Sequence, residues 1–331
     1  AGGPGLESRP AMSILGLHHI TVACADAVRT EEYYTRTLGF RVLSRSLTKD
    51  RLPHLYLAVG KGGPGQLISF LEQADTPPGH EGVGGTHHFA LLVETRAALL
   101  RWKRRLVDRG ISVNGPLDRH YFESIYHKDA DGTVIEIATR GAGWTRDEAP
   151  DRIGTEHRPP PPEMLKGNRD KDRIQAETWP EPVPEITSDM RFGSLHHITA
   201  IGANIDATHE FLHGMLGLRR VKRTSNFDMP DSFHWYWSAG SGEPGTVVTY
   251  FERPGQAAVA HGPGQTDHYA LAVADEAALE QWRTKLLAAR LPASPIEDQG
   301  QFKSFFTRDP DGQPVELATA GPGFGDAQAG R

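Results

Sequence analysis

The chain has 331 residues, 38 % hydrophobic and 24 % charged, with 36 Lys and Arg against 42 Asp and Glu for a net charge of −6. That balance offers no basic field to recruit nucleic acid or an anionic membrane surface, and no stretch reaches the roughly 18 apolar residues of a membrane helix. At roughly 150 residues per domain the length predicts two domains. The single cysteine, Cys24, excludes an intrachain disulfide framework and fits a reducing cytoplasm, and the N-terminus lacks the apolar core of a signal peptide.

Residues 1–13 are rich in Gly and Pro without periodicity and are expected to form a flexible leader. His19 to Ala23 alternates and is β-rich, which predicts a strand. Asp26 to Leu38 follows with Tyr33, Tyr34 and Leu38 at helical spacing, and Gly39 is placed as a helix C-cap. Short strands over 41–45, 54–59 and 66–72 complete a first βαβββ module, 14–75. A second module, 84–145, repeats the pattern with a helix at about 95–109 and strands at about 122–127 and 133–138 around the Asp129–Gly132 turn. Residues 146–190 carry the proline run Pro159–Pro162, many charges and little periodicity, which predicts an interdomain linker wrapped over the surface.

Beyond the linker the chain repeats itself at an offset of 178 to 180 residues. Gly16-Leu17-His18-His19-Ile20-Thr21 returns as Ser194-Leu195-His196-His197-Ile198-Thr199, and His54-Leu55-Tyr56 as His234-Trp235-Tyr236. Thr86-His87-His88-Phe89 returns as Thr266-Asp267-His268-Tyr269, and Asp131-Gly132 with Glu136 as Asp311-Gly312 with Glu316. Two further modules, 192–255 and 264–322, follow. The expected architecture is therefore α+β: a first pair of βαβββ modules over 14–145, a linker, a second pair over 191–322 and a frayed tail over 323–331. Paired modules can curve into a cup, giving two cup-like domains.

Sixteen histidines are many for this length, and the repeat sorts them. His19, His88, His197 and His268 lie on the first strands of modules, and Glu136 and Glu316 on last strands. Two imidazoles and one carboxylate with the remaining positions open form the donor set that suits non-haem Fe(II), with Mn(II) as the alternative. Structural zinc would need thiolates or a fourth ligand that the lone cysteine cannot supply. Adjacent residues of a regular strand face opposite sides, so only one His of each doubled pair is expected to point at a metal. The fourth copy, Asp267-His268, nominates the second position.

The fourfold pattern with Leu-His-His-Ile-Thr resembles the vicinal oxygen chelate superfamily, which includes glyoxalases, bleomycin-resistance proteins and extradiol dioxygenases. Its hydroquinone-type ring-cleaving dioxygenases are the nearer resemblance. Their opening signature is similar to Ser194-Leu-His196-His197-Ile-Thr199, Asn226-Phe227-Asp228, His234-Trp-Tyr236 and Pro244-Gly245-Thr246. Their closing signature is similar to His87-His88, Arg119-His-Tyr-Phe-Glu-Ser-Ile-Tyr126, Asp131-Gly132, Glu136-Ile-Ala-Thr and Gly143-Trp144. The two signatures stand here in exchanged order along the chain.

The resemblance implies His88, Glu136 and His197 as metal ligands, with His19, His268 and Glu316 as a mirror-image second set. It also implies that Tyr126, Arg119 and His196 handle protons and orient substrate oxygens. At the repeat positions of Arg119 and Tyr126 stand Gln299 and Phe306, and Phe306 cannot donate a proton. A glyoxalase-type site would add a carboxylate where Ser69 and Thr249 stand, while Glu72 and Glu252 fall on the opposite face. The implied function is Fe(II)-dependent extradiol-type cleavage of a small aromatic diol, a catechol or hydroquinone, by dioxygen. A non-catalytic aromatic-binding or resistance protein and a glyoxalase-type isomerase or lyase stay open as alternatives, as do the exact substrate and whether copies of the chain associate.

Overall fold

Four opening strands, buried along nearly their whole length, organise the protein. A computed structural model describes residues 12–324; residues 1–11 and 325–331, which carry most of the expected leader and tail, lie outside them. The first module is β1 (Gly16–Cys24), α1 (Ala27–Glu32), β2 (Arg41–Leu47), β3 (Pro53–Ala58) and β4 (Leu67–Glu72). The second is β5 (Gly85–Val93), α2 (Arg96–Asp108), β6 (Asn114–Asp118), β7 (Glu123–Lys128) and β8 (Val134–Thr139). The connecting segment holds one short α-helix, α3 (Lys171–Ala176), and isolated 3₁₀ turns such as Pro162–Met164 and Ser188–Met190. The third module is β9 (Leu195–Gly202), α4 (Ile205–His209), β10 (Arg219–Ser225), β11 (Phe233–Ser238) and β12 (Val247–Glu252). The fourth is β13 (Thr266–Val273), α5 (Glu276–Ala288), β14 (Glu297–Asp298), β15 (Phe302–Arg308) and β16 (Pro314–Pro322).

Local chemistry sets the helix limits. Asp26, Thr95, Asn204 and Asp275 each accept backbone N–H bonds from the first turn that follows. The first helix continues as a wider π-turn over Tyr33–Thr37 and stops at Gly39, whose φ of 77° only glycine adopts cheaply.

The strands form two eight-stranded sheets, ordered β14-β15-β16-β13-β1-β4-β3-β2 and β10-β11-β12-β9-β5-β8-β7-β6. Within a module the first strand lies parallel to the last, and across modules the first strands pair antiparallel, β1 with β13 and β5 with β9. Each sheet therefore takes one module from each half of the chain: modules one and four form one cup, modules two and three the other. The two signatures that stand in exchanged order along the chain consequently share one sheet. The connectors between modules one and two and between three and four run side by side, joined by the bridges His80–Ala260 and Val83–Ala258.

One apolar cluster runs through both sheets and their helices, including Tyr34, Phe70, Phe89, Trp102, Trp237 and Trp282. Trp102 stacks on Phe192 with ring centroids 4.6 Å apart and donates its indole N–H to the Met190 carbonyl. The 146–190 segment is bound along its length. Lys103 Nζ donates to the carbonyls of Ile174, Gln175 and Glu177. Near its start, the fully buried Lys222 pairs with Asp147 at 2.6 Å and Glu148 at 2.5 Å. No helix among the described residues is long and apolar enough to cross a membrane.

Candidate metal centre and its cavity

On the sheet of modules two and three, β5, β8 and β9 bring His88, Glu136 and His197 together, all buried. Glu136 Oε2 lies 2.7 Å from His88 Nε2 and 3.3 Å from His197 Nε2, and the two Nε2 atoms are 3.3 Å apart. The register explains the convergence. Ala90 is the Cα partner of both His197 and Glu136, so β8 and β9 flank β5 with these two residues at one level.

The doubled histidines depart from strict alternation. The registers of β1, β5, β9 and β13 each shift at the first residue of the pair, which makes His18, His87, His196 and Asp267 extra residues in bulges. A bulge turns both side chains of a pair to one face. His87 Nδ1 lies 2.7 Å from His88 Nδ1, and His196 Nδ1 lies 2.8 Å from His197 Nδ1. Opposite facing fails here, although only the second His of each pair joins a triad.

One nitrogen of each Nδ1 pair carries the shared proton. If the inner ring donates, its Nε2 is left unprotonated toward the centre of the triad, as a metal requires. Burial lowers the His196 imidazole to about 3, with His197 adding to the effect, which keeps His196 neutral. Burial pushes the Glu136 carboxyl up, but the His197 and His88 imidazoles outweigh it and hold the group well below the usual carboxylate range. Glu136 Oε1 accepts the Ser124 hydroxyl, while buried Oε2 makes no hydrogen bond. A buried carboxylate oxygen without a hydrogen bond, facing two Nε2 atoms, fits a divalent cation, which would be its missing partner.

A cavity of about 220 Å³ opens onto this triad. Tyr126, paired across the ladder with Glu136, and Arg119 both line it. Arg119 Nε donates to Tyr126 Oη at 3.1 Å, and its Nη2 reaches Asp228 at 3.4 Å. Burial pulls the Arg119 guanidinium down, but Tyr126, Asp228 and Glu136 outweigh it and keep the group charged; burial raises the Tyr126 phenol above its ordinary value and keeps it protonated. His196 does not line the cavity: it lies behind His197 against Phe122.

The imidazole that does face the cavity, besides His87 and the triad histidines, is His234. It is held in a chain in which Tyr236 Oη lies 3.0 Å from His234 Nδ1 and His234 Nε2 meets Thr249 Oγ1 at 2.8 Å. Thr249 donates to Thr199 at 3.0 Å, and Thr199 Oγ1 lies 3.0 Å from His88 Nε2. Hydroxyls thus occupy the strand positions where a fourth carboxylate ligand would stand, and Glu252 is turned away to cap Ile205 N.

Further groups at the site come from places where sequence patterning is weak. Arg169 Nη1 pairs with Asp228 at 2.6 Å, and Lys166 lines the cavity. Both belong to the connecting segment, whose lack of periodicity hides them. His234 and Tyr236 had a signal, since they recur as His54 and Tyr56.

The second triad is also assembled, by β1, β13 and β16. His19 Nε2 and His268 Nε2 lie 3.1 Å and 3.2 Å from Glu316 Oε2.

A family model described as "Glyoxalase/Bleomycin resistance protein/Dioxygenase superfamily" matches residues 16–137 and 194–317. The chain belongs to this superfamily. Among superfamily relatives, it is 23 % identical over 315 residues to "Putative ring-cleaving dioxygenase MhqA" of Bacillus subtilis (strain 168), covering 95 % of this chain and 89 % of that one. It is 24 % identical over 314 residues to "Chlorohydroquinone/hydroquinone 1,2-dioxygenase" of Sphingobium indicum, covering 90 % and 83 %. Among solved structures, a Bacillus subtilis protein described as a "putative dioxygenase" superposes with a TM-score of 0.75 at 22 % identity, over 96 % of this chain and 88 % of that one. Glyoxalase I from Zea mays gives 0.61 at 16 % identity, over 92 % of each chain. These superpositions establish the two-cup α+β fold of the superfamily.

Proposed function

We propose that the chain is an Fe(II)-dependent ring-cleaving dioxygenase for a small dihydroxylated aromatic of the catechol or hydroquinone class, with Mn(II) as the alternative metal. The observation that carries this reading is the coincidence, at one triad, of three ligands, open space and a Tyr126–Arg119 pair. A 220 Å³ cavity lies below the roughly 300–1,000 Å³ of drug-sized sites, which suits a single ring. Phe122, Phe227 and Phe251 supply its apolar walls. The names of the full-length relatives support the same reaction class.

His88, Glu136 and His197 would hold the metal, which when bound supplies a redox-active Lewis acid that brings the diol and dioxygen together. The remaining steps belong to this chain's own side chains. Arg119 donates Nε–H to Tyr126 Oη, so the phenolic proton is free to point into the cavity toward a substrate oxygen. The guanidinium, fixed by Asp228, favours negative charge developing on that oxygen. His234 stays neutral, and with both ring nitrogens engaged by Tyr236 and Thr249 it can take a proton from the diol only by way of the Tyr236 hydroxyl. His196 acts as a positioning residue, holding the His197 ring through the Nδ1 contact. Cleavage breaks one ring carbon–carbon bond and places both oxygen atoms in the product.

The decisive experiment is anaerobic loading with Fe(II), then oxygen-uptake measurements on a panel of catechols and hydroquinones. Uptake matched by ring-opened product supports the proposal. Tight aromatic binding without uptake, unchanged in Glu136→Ala, would identify a binding protein. Metal-dependent turnover of an oxo substrate without oxygen consumption would identify an isomerase or lyase.

A further inference from the structure

We propose that His19, His268 and Glu316 form a second divalent-cation site, which fastens the first and fourth modules together and turns over no substrate. The donor geometry matches the first triad, with His19 Nε2 and His268 Nε2 at 3.1 Å and 3.2 Å from Glu316 Oε2. That oxygen is buried without a hydrogen bond, the same deficit that a cation would relieve at Glu136.

The surroundings differ in two ways. Asp267 stands where the first site has His87, and its Oδ1 accepts from His268 Nδ1 at 2.7 Å. That carboxylate–imidazole pair fixes the ring and its tautomer and strengthens it as a ligand. The site thus brings a second carboxylate close to a cation, where the first site has an imidazole. The equivalents of Tyr126 and Arg119 are replaced. Phe306 packs edge-on to His268 with centroids 4.9 Å apart, at the register position held by Tyr126 in the other sheet. Phe302 packs on both His18 and His19, and Gln299 replaces Arg119. The hydroxyl relay is also cut, since Ser69 bonds Thr21 and the buried His54 Nε2 has no partner.

The ligands come from β1, β13 and β16, so a cation here ties the N-terminal module to the C-terminal one across most of the chain. An ion that binds only the folded state stabilises it by mass action, and this one would do so where the cup's two halves are farthest apart in sequence.

The test uses the full chain, stripped of metal and reloaded with Co(II) without oxygen. Metal content should be about two per chain in the wild type, about one in Glu316→Gln and in Glu136→Gln, and none in the double variant. Adding catechol should shift the visible Co(II) bands of Glu316→Gln and leave those of Glu136→Gln unchanged. Co(II) should raise the melting temperature of the wild type by several degrees more than that of Glu316→Gln. Asp267→Asn keeps all three ligands and guards against misfolding. It should speed loss of one of the two ions to a chelator by about 10–100-fold. One ion per wild-type chain, lost in Glu136→Gln and kept in Glu316→Gln, would overturn the proposal, as would unchanged chelation kinetics in Asp267→Asn. Neither readout requires the chain to be a dioxygenase.

Discussion

Replacing Tyr126 with Phe separates a catalytic hydroxyl from a rim hydroxyl, because the protein already contains the substituted state. Phe306 occupies the equivalent register position, opposite Glu316 as Tyr126 is opposite Glu136, so the strand accepts a phenyl ring without repacking. The structural loss is the single bond from Arg119 Nε at 3.1 Å, worth about 1 kcal/mol. That corresponds to a fall of about 1–2 °C in melting temperature for a chain of this length. The functional loss should be larger, since removing one positioned group that donates to developing charge lowers kcat about 10²–10³-fold, or roughly 3–4 kcal/mol. KM should change little, because Arg119 remains fixed by Asp228 and the apolar walls are intact. The assay is oxygen uptake at saturating diol with Fe(II)-loaded enzyme, with metal content and melting temperature measured on the same samples. A kcat within about threefold of wild type, less than 1 kcal/mol of barrier, at full metal content would refute the argument and leave Tyr126 as a strand residue.

Other expected outcomes are independent of that one. Glu136→Ala should abolish ring cleavage and Glu316→Ala should leave most of it, measured on variants with native circular dichroism; equal losses would mean two active sites. Lys222→Met should destabilise the fold by about 3–5 kcal/mol, because it leaves the buried Glu148 carboxylate without its cation. Thermal melting reads the loss, and faster amide exchange across 147–158 locates it; a melting temperature within 2 °C of wild type would argue against it. Cys24 is 1 % exposed and burial pushes its thiol up to about 12. Because the thiolate is the reactive form, iodoacetamide should leave Cys24 unlabelled in the native protein at pH 8 and label it readily in denaturant. Rapid native labelling at that pH would contradict the burial.

The sequence by itself determined the module, its fourfold repetition and the residue types of the two triads. Each of these is written locally: alternation in β1, a capping Asp26 and a terminating Gly39 around the first helix, and a His or Glu at a fixed place in each copy. The broken symmetry was legible too, since Arg119 and Tyr126 face Gln299 and Phe306 in a plain self-alignment. Tertiary structure alone decided three other matters. Strict alternation could not foresee the bulges that turn His196 onto His197, because a bulge is defined against the partner strand. Lys166 and Arg169 come from a segment with no pattern of its own, held over the cavity by contacts such as the Arg169–Asp228 pair. The pairing of module two with three, and of one with four, is an edge-to-edge choice among four opening strands of nearly the same sequence. Similar strands offer similar ladders, so local preference cannot choose among them; the long-range packing of the connectors and the shared core does.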